Sequence, residues 1–137
     1  MTSVNQNSPG LHPKMAKYGC GVLCLLWLDD KEWSLEEVND LYKKAVERKA
    51  ISVDCYIKWE LLLNLINHKL TFVAFEKPSY KTERNEYELQ QWHKNGTDIY
   101  HFLVGDGDKV LYDPTPNSLS RREGLLVSKR IIKVETN

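Results

Sequence analysis

Neither sign of charge is in excess in this sequence, since 19 lysines and arginines are matched by 19 aspartates and glutamates. Proteins that bind nucleic acid through the phosphate backbone usually carry a clear basic excess, so we expect no nucleic-acid partner. Two local pairs are exceptions, Arg121 with Arg122 and Lys129 with Arg130. Short charge clusters of this kind are typical of solvated surface, and we expect both pairs to be exposed.

Cysteine is scarce, and long hydrophobic runs are absent. Three cysteines cannot form a disulfide framework, so a reducing compartment is the simplest expectation. No apolar run approaches the roughly 20 residues that a membrane-spanning helix needs. Residues 1–13 are polar, lack the features of a signal peptide, and are expected to form a flexible lead-in. These absences predict a soluble cytoplasmic protein with no membrane partner.

The sequence also lacks the motifs that bind phosphates, dinucleotides and structural metals. No phosphate-binding loop and no dinucleotide fingerprint is present. Cys20 and Cys24 are one helical turn apart and could face the same way, but no second Cys/His pair follows them. Cys24 is more simply a small core residue inside an apolar helix. We therefore expect no metal and no cofactor.

What is present begins with helices, in a chain whose length of 137 residues fits a single domain over 1–137. The apolar run 20–28 predicts a buried helix. Ser34 and Glu37 form a capping-box pattern that opens a second helix reaching about Arg48. Asp54 could cap a third helix over 56–66. The first half of the chain is thus predicted to be helical.

Strand-forming residues dominate the second half. The predicted strands cover residues 70–75, 98–104, 109–113 and 125–134, and the turn 105–108 joins the second and third as a hairpin. The charged segment 77–95 is left open between a short helix around 87–92 and a surface excursion. Helices followed by strands indicate an α+β domain, in which N-terminal helices pack on a mostly antiparallel sheet.

Cys20 lies between Gly19 and Gly21, at the start of the predicted buried helix. Glycines permit a tight turn and let another group approach closely. The unpaired N–H groups and the positive end of the dipole at a helix start both favour thiolate over thiol. Cys20 is therefore either a nucleophile or an ordinary core contact. The presence or absence of a suitable base elsewhere in the sequence distinguishes the two.

A cysteine nucleophile needs a base and a group that orients the base. His101 precedes the predicted hairpin turn and Asp113 ends the returning strand, so the two stand nearly opposite each other. Opposite side chains on one face are about 5 Å apart at Cβ, whereas a one-residue slip would separate them. Taken singly, each residue is typical of a structural role. Together with Cys20 they favour a catalytic site.

These residues also carry a family resemblance. Cys20 and Gly21 opening an apolar helix, a distant His101, and Asp113 followed by proline resemble papain-like cysteine peptidases, especially bacteriocin-leader peptidase domains of export transporters. The resemblance implies a papain-like fold with Cys20 as nucleophile, His101 as general base and acid, and Asp113 as the orienting residue. The segments 54–56, 101–107 and 111–114 are also similar to an uncharacterised family of spirochaete plasmid and bacteriophage proteins.

The sequence departs from the peptidase pattern at one position. The family has a glutamine six residues before the cysteine, which donates to the oxyanion hole, and here that residue is Lys14. Losing one oxyanion donor typically costs about 100-fold in rate or more. Lys14 itself or backbone N–H groups near Cys20, such as that of Gly21, could take its place.

Three functions remain open from the sequence. The first is a cysteine peptidase or amide hydrolase that uses a Cys-His-Asp triad on a peptide or protein substrate. The second is a catalytically degenerate papain-like protein, encoded by a phage or plasmid, that binds or inhibits a host protein. The third is a structural domain in which Cys20 is buried and inert, with His101 far away.

Overall fold

The computed structural model describes residues 1–97, 100–116 and 123–135. Its helices are α1 (Pro13–Tyr18), α2 (Cys20–Leu28), α3 (Leu35–Glu47) and α4 (Trp59–Ile66). Its strands are β1 (Leu70–Glu76), β2 (Glu86–His93), β3 (Tyr100–Asp106), β4 (Lys109–Tyr112) and β5 (Leu125–Val134). The predicted α+β class, with helices first and strands after them, is confirmed.

The strands form one sheet in the order β1-β5-β2-β3-β4, and every neighbouring pair is antiparallel. β5 is the last strand in the chain, yet it lies between β1 and β2. The predicted hairpin between β3 and β4 is present, but its turn is only residues 107–108, because Gly105 and Asp106 belong to β3. Gly107 has the positive φ of 58° that such a turn requires. The antiparallel sheet predicted from the sequence is therefore present, with one strand more than expected.

The apolar helix α2 forms the centre of the core, as its sequence predicts. Every residue in it is buried except Trp27, because the helix is apolar on all sides and packs against α1, α4 and β3. Gly19 separates α1 from α2, and a Cβ atom at this position would lie 2.6 Å from the carbonyl oxygen of Met15. Only glycine fits there, so the start of α2 is held at a fixed distance from α1.

The capping box at the start of α3 is confirmed. The Glu37 backbone N–H donates to the Ser34 hydroxyl over 3.2 Å, and the Ser34 N–H donates to the Glu37 carboxylate over 3.2 Å. The helix ends at Glu47, and Arg48 is its C-cap.

The predicted start of the third helix is wrong. α4 begins at Trp59 with Lys58 as its N-cap, and no side chain caps it. Asp54 instead accepts from the Lys14 ammonium group over 2.9 Å. Cys55 has a positive φ of 64°, which no helix allows, so residues 54–58 form a loop and the helix starts after it.

The open prediction for residues 77–95 is resolved in two parts: residues 86–93 form a strand, β2, where the short helix was considered, and residues 77–85 form an irregular and largely exposed connection. The polar residues of β2 misled the sequence prediction because Glu88 and Gln90 are buried side chains, each 1% exposed. The Glu88 carboxylate pairs with Lys129 on β5 at 2.9 Å and accepts from Gln90 and from the Gly107 N–H. The partners satisfy these polar groups, so the strand can be buried without being apolar.

The expectation of exposure at residues 129 and 130 is also wrong. Lys129 is 3% exposed and Arg130 is only partly exposed, because both lie on β5, which has a paired strand on each side. The other basic pair, Arg121 with Arg122, lies outside the described residues.

Residues 1–12, the N-terminal strap, pack against the domain, which differs from the flexible lead-in expected from the sequence. Val4 and Leu11 are buried in the core. The Thr2 hydroxyl donates to the Trp33 carbonyl over 2.7 Å, and the Tyr112 hydroxyl donates to the Val4 carbonyl over 2.7 Å. The strap therefore connects α1 to the end of β4.

Candidate active site

Cys20 is the first residue of α2 and is 9% exposed. The backbone N–H of Phe102, on β3, donates to its sulfur over 3.5 Å. α2 has no side-chain N-cap, so its first N–H groups are not satisfied by a capping side chain. The position at a helix start predicted for Cys20 is confirmed, and β3 lies directly beside it.

His101 and Asp113 are brought together. His101 Nε2 lies 2.6 Å from Asp113 Oδ1, and the two side chains are only 8% and 13% exposed. The Thr115 N–H also donates to Asp113 Oδ1 over 2.9 Å, which fixes the carboxylate. Because the pair is shielded from water, its hydrogen bond is stronger than a surface contact of the same length.

The strand register differs from the one that predicted this contact. Val104 pairs with Tyr112, so continuing the register would place Leu103, and not His101, opposite Asp113. A register irregularity separates Val104 from Gly105, and Asp113 lies one residue past the end of β4. His101 and Asp113 are therefore not a directly opposite pair. The His101 side chain reaches diagonally to the Asp113 carboxylate, which lies beyond the last paired residue of β4, Tyr112.

The pKa of the same imidazole also responds to the Cys20 thiol. Burial lowers the pKa of His101, but hydrogen bonds to Asp113 and to Cys20 oppose it, and the net effect raises the pKa to about 9. Since Nε2 bonds to Asp113, Nδ1 is the ring nitrogen left for the Cys20 sulfur. His101 is thus positively charged at neutral pH and stands between a carboxylate and a thiol, in the order that an activated cysteine requires.

An open cleft of about 730 Å³ leads to Cys20 and Gly21. Cys20 is the member of the triad that lines it, whereas His101 and Asp113 lie outside the lining. The walls are largely aromatic: Tyr18, Tyr56, Trp59, Phe75, Tyr100 and Phe102. A substrate in this cleft would meet the thiol first, and its apolar groups would contact the rings.

The two residues considered for the oxyanion hole differ in their placement. Gly21 lines the cleft, and a Cβ there would lie 3.0 Å from Ile57 and 3.3 Å from Phe102. Lys14 is not among the lining residues, and its ammonium group pairs with Asp54 over 2.9 Å. The backbone at Gly21 is therefore better placed than the side chain of Lys14 to meet a bound substrate.

Burial keeps the thiols of the other two cysteines in the protonated form. Cys24 is fully buried in α2, and burial raises the pKa of its thiol well above the ordinary value. Burial also raises the pKa of the Cys55 thiol, to about 12. The Cys55 sulfur lies 3.9 Å from the Lys14 carbonyl and from Met15 Sδ. Both thiols remain protonated at neutral pH, so neither competes as a nucleophile.

Gln6, in the N-terminal strap, holds the loop that carries Asp113. Its backbone N–H donates to the Pro114 carbonyl over 2.7 Å, and its side-chain oxygen accepts from the Thr115 hydroxyl. The amide nitrogen of Gln6 donates to the Ala16 carbonyl over 3.1 Å. A single side chain thus joins the loop after β4 to α1, immediately before the helix that carries Cys20.

Two further residues line the cleft that were not predicted from the sequence, Gln91 and Arg130. Gln91 lies on β2, for which the sequence allowed either a helix or a surface segment. Arg130 belongs to a basic pair that the sequence predicts to be exposed. The adjacent residues Ile131 and Ile132 were the available signal, because two buried residues in succession indicate a strand that is covered on both faces.

With this geometry established, similarity to known proteins gives a family but no activity. The chain matches the model of a family described as protein of unknown function, DUF261, over residues 1–134, and it belongs to that family. This agrees with the resemblance to an uncharacterised family. No curated protein and no solved structure matches the chain. Among the described residues, no helix has the length and apolar character needed to span a membrane.

Proposed function

We propose that this protein is a thiol hydrolase that cleaves a peptide, isopeptide or related amide bond through a papain-like arrangement of Cys20, His101 and Asp113. The observation that carries the proposal is the position of His101, whose Nε2 lies 2.6 Å from Asp113 Oδ1 and whose neighbour Phe102 donates its N–H to the Cys20 sulfur. Each of the three groups has the role that nucleophilic catalysis by cysteine requires.

The first half of the reaction forms an acyl-enzyme. A substrate carbonyl approaches Cys20 from the cleft, and the sulfur attacks the carbonyl carbon to form a C–S bond. The developing oxyanion faces the uncapped N–H groups at the start of α2, including that of Gly21. His101 then gives its proton to the leaving nitrogen as the C–N bond breaks, while Asp113 stabilises the charged ring and holds its orientation.

The second half regenerates the enzyme. Water attacks the thioester carbonyl, and the neutral His101 takes a proton from it. The C–S bond breaks with its electron pair going to the sulfur, the acid product leaves, and Cys20 again lies beside the protonated imidazole. No cofactor or metal is needed for either half, because the nucleophile, the base and the acid are all side chains.

Turnover of internally quenched peptides is the direct test. The wild-type protein should cleave at least one member of a mixed peptide library, and Cys20→Ala should abolish the cleavage. Cys24→Ala, which removes a thiol from the same helix, is the matched control and should retain it. The acyl-enzyme should appear in intact-mass spectra after rapid acid quenching. If Cys20→Ala retains full cleavage, the proposal is wrong.

One observation favours a second function, which is a degenerate relative that binds a host protein without cleaving it. Lys14 occupies the position of the oxyanion glutamine, and its ammonium group is paired with Asp54 instead of facing the cleft. Loss of that donor reduces rate without removing the cleft. A partner captured equally by wild type and Cys20→Ala, with no turnover of any library member, would support binding over hydrolysis.

A further inference from the structure

Arg130 carries a positive charge into the cleft without an acidic partner. It lies on the interior strand β5, and its Cζ is 4.8 Å from the Phe75 ring centre and 5.1 Å from that of Phe102. In the part of the chain that the structure describes, no carboxylate lies within ion-pair distance of its guanidinium. A partly buried arginine with aromatic neighbours and no counter-ion is costly to keep, unless something else supplies the negative charge.

The three guanidinium nitrogens of Arg130 differ in their hydrogen bonding. Nη1 donates to the Gln91 side-chain oxygen over 3.0 Å and also to the Ser128 hydroxyl. Nε is buried and has no acceptor among the described residues. Nη2 has no acceptor there either, but it is not sealed from solvent, so it is the nitrogen left to face the cleft. These bonds hold the plane of the guanidinium in place while part of its donor capacity stays unused.

Gln91 stands beside Arg130 and supplies a second donor. Its side-chain oxygen accepts from Arg130 and from the Ser128 hydroxyl, each over 3.0 Å. With the oxygen engaged in this way, the amide nitrogen points away from both groups, and it has no acceptor within the described ranges. Both residues line the cleft that contains Cys20. Two fixed donors on one wall match the two oxygens of a carboxylate.

The other charged residues of the cleft do not neutralise the positive charge of Arg130. Asp54 lines the cleft, but its carboxylate already pairs with Lys14 over 2.9 Å. Lys17, which also lines the cleft, adds a second positive charge at an exposed position. The cleft is therefore cationic as well as aromatic.

We infer that Arg130 and Gln91 form a carboxylate-binding subsite, and that the substrate is a peptide with a carboxylate next to an aromatic or aliphatic residue. The apolar residue packs among the rings of the cleft, and its neighbouring carboxylate accepts from Arg130 and Gln91. This inference rests on the proposed hydrolase function for cleavage, although the binding of the carboxylate does not depend on it.

Two alkylating agents that differ in charge test the subsite. Iodoacetate and iodoacetamide react with the same thiol, but only iodoacetate carries a carboxylate. The ratio of their rate constants at Cys20 should fall about fivefold in Arg130→Met, since a cation that lines the same cleft no longer attracts the anionic reagent. Lys17→Met removes the exposed cation of the same cleft and is the matched control, because solvent screens its charge.

The outcomes separate the two proposals. Fast reaction of Cys20 with both agents, with a ratio unchanged by Arg130→Met, would overturn the subsite and leave the hydrolase intact. Should Arg130→Met fail to fold, Arg130→Lys keeps the charge without the planar fork. The salt dependence of the wild-type ratio needs no variant: the iodoacetate rate should fall with salt, whereas the iodoacetamide rate should not.

A binding measurement decides the subsite even if Cys20 proves unreactive, which would defeat the hydrolase. N-acetylphenylalanine and its amide differ only in the carboxylate, and Cys20→Ser protein can bind either without reaction. Calorimetry should give at least about tenfold weaker binding for the amide, because hydrogen bonds to a charged group are stronger than neutral ones. Arg130→Lys should reduce that preference, and equal affinities in wild type would overturn the subsite.

Discussion

His101 Nε2 and Asp113 Oδ1 lie 2.6 Å apart, with both side chains almost fully removed from water. This pair raises the pKa of the imidazole and leaves its other nitrogen for Cys20. The charge of the imidazole beside the sulfur therefore depends on a carboxylate that does not line the cleft.

Replacing that carboxylate by its neutral isostere should weaken the pair. Asp113→Asn keeps the shape but removes the charge, so the pKa of His101 should fall by about 1–2 units. NMR titration of the His101 ring protons measures this directly. The alkylation rate of Cys20 at neutral pH should fall as well. Asp106→Asn, in the hairpin turn, is the control, and an unchanged His101 pKa in Asp113→Asn would contradict the assignment.

The three thiols should differ sharply in reactivity. At pH 7, iodoacetamide should modify Cys20 at least about tenfold faster than Cys55 or Cys24, because only the thiolate reacts and burial raises the pKa of both other thiols. Peptide mapping after short exposures gives the three rates. In guanidinium chloride the three rates should converge, and His101→Ala should slow Cys20 alone. Equal rates in the folded protein would show that Cys20 is not activated.

Stability should depend on pH through His101. Its folded pKa of about 9 lies above the ordinary 6.5, so the stabilisation is complete below pH 6.5 and is lost as pH rises through 9. The free energy of unfolding should therefore decrease by roughly 1–3 kcal/mol between these limits. Denaturant titrations at pH 6, 7.5 and 9 measure it. His101→Asn should flatten this dependence, and a flat wild-type profile would contradict the raised pKa.

The buried pair of Glu88 and Lys129 should be costly to break. Lys129→Met leaves the Glu88 carboxylate buried without its counter-charge, so it should destabilise the protein by about 3–5 kcal/mol. Adding Glu88→Gln should restore part of this loss, since neither charge then remains buried alone. Lys94→Met breaks the exposed pair with Glu123 and should cost under about 1 kcal/mol. Similar costs for the two lysines would argue against the burial of the first pair.

Gln6 should affect the site from a distance. Gln6→Ala removes the side-chain bonds to Ala16 and Thr115, which should lower the free energy of unfolding by about 1–2 kcal/mol. Because those bonds hold the loop that carries Asp113, iodoacetamide should also react more slowly with Cys20. Asn7→Ala changes an exposed neighbour in the same strap and should do neither. A full alkylation rate in folded Gln6→Ala would limit the strap to a structural role.

The sequence predicted the parts of the site whose signals are local. The apolar run after Cys20 predicts a buried helix, and the hairpin residues bring His101 close to Asp113. The exact pairing did not follow, because a bulge between Val104 and Gly105 shifts the register, and no sequence pattern marks it.

Other parts depend on contacts distant in sequence. Glu88 and Gln90 are polar, so the local sequence predicts that they are exposed. They are buried because Lys129, some forty residues later, pairs with the Glu88 carboxylate. The local sequence predicts that Arg130 is exposed, because the aromatic rings that cover it belong to other strands. The polar N-terminal strap likewise gains its fixed position from the loop after β4. Tertiary partners override local preference at each of these places.

The position of β5 has a consequence for synthesis on the ribosome. This strand is the last to emerge, yet it pairs with both β1 and β2, so the sheet cannot close until residues 125–134 are available. A nascent chain that already exposes Cys20 has no completed sheet to hold His101 against it. The five-stranded sheet on which the proposed site rests is therefore assembled only after β5 has been synthesised.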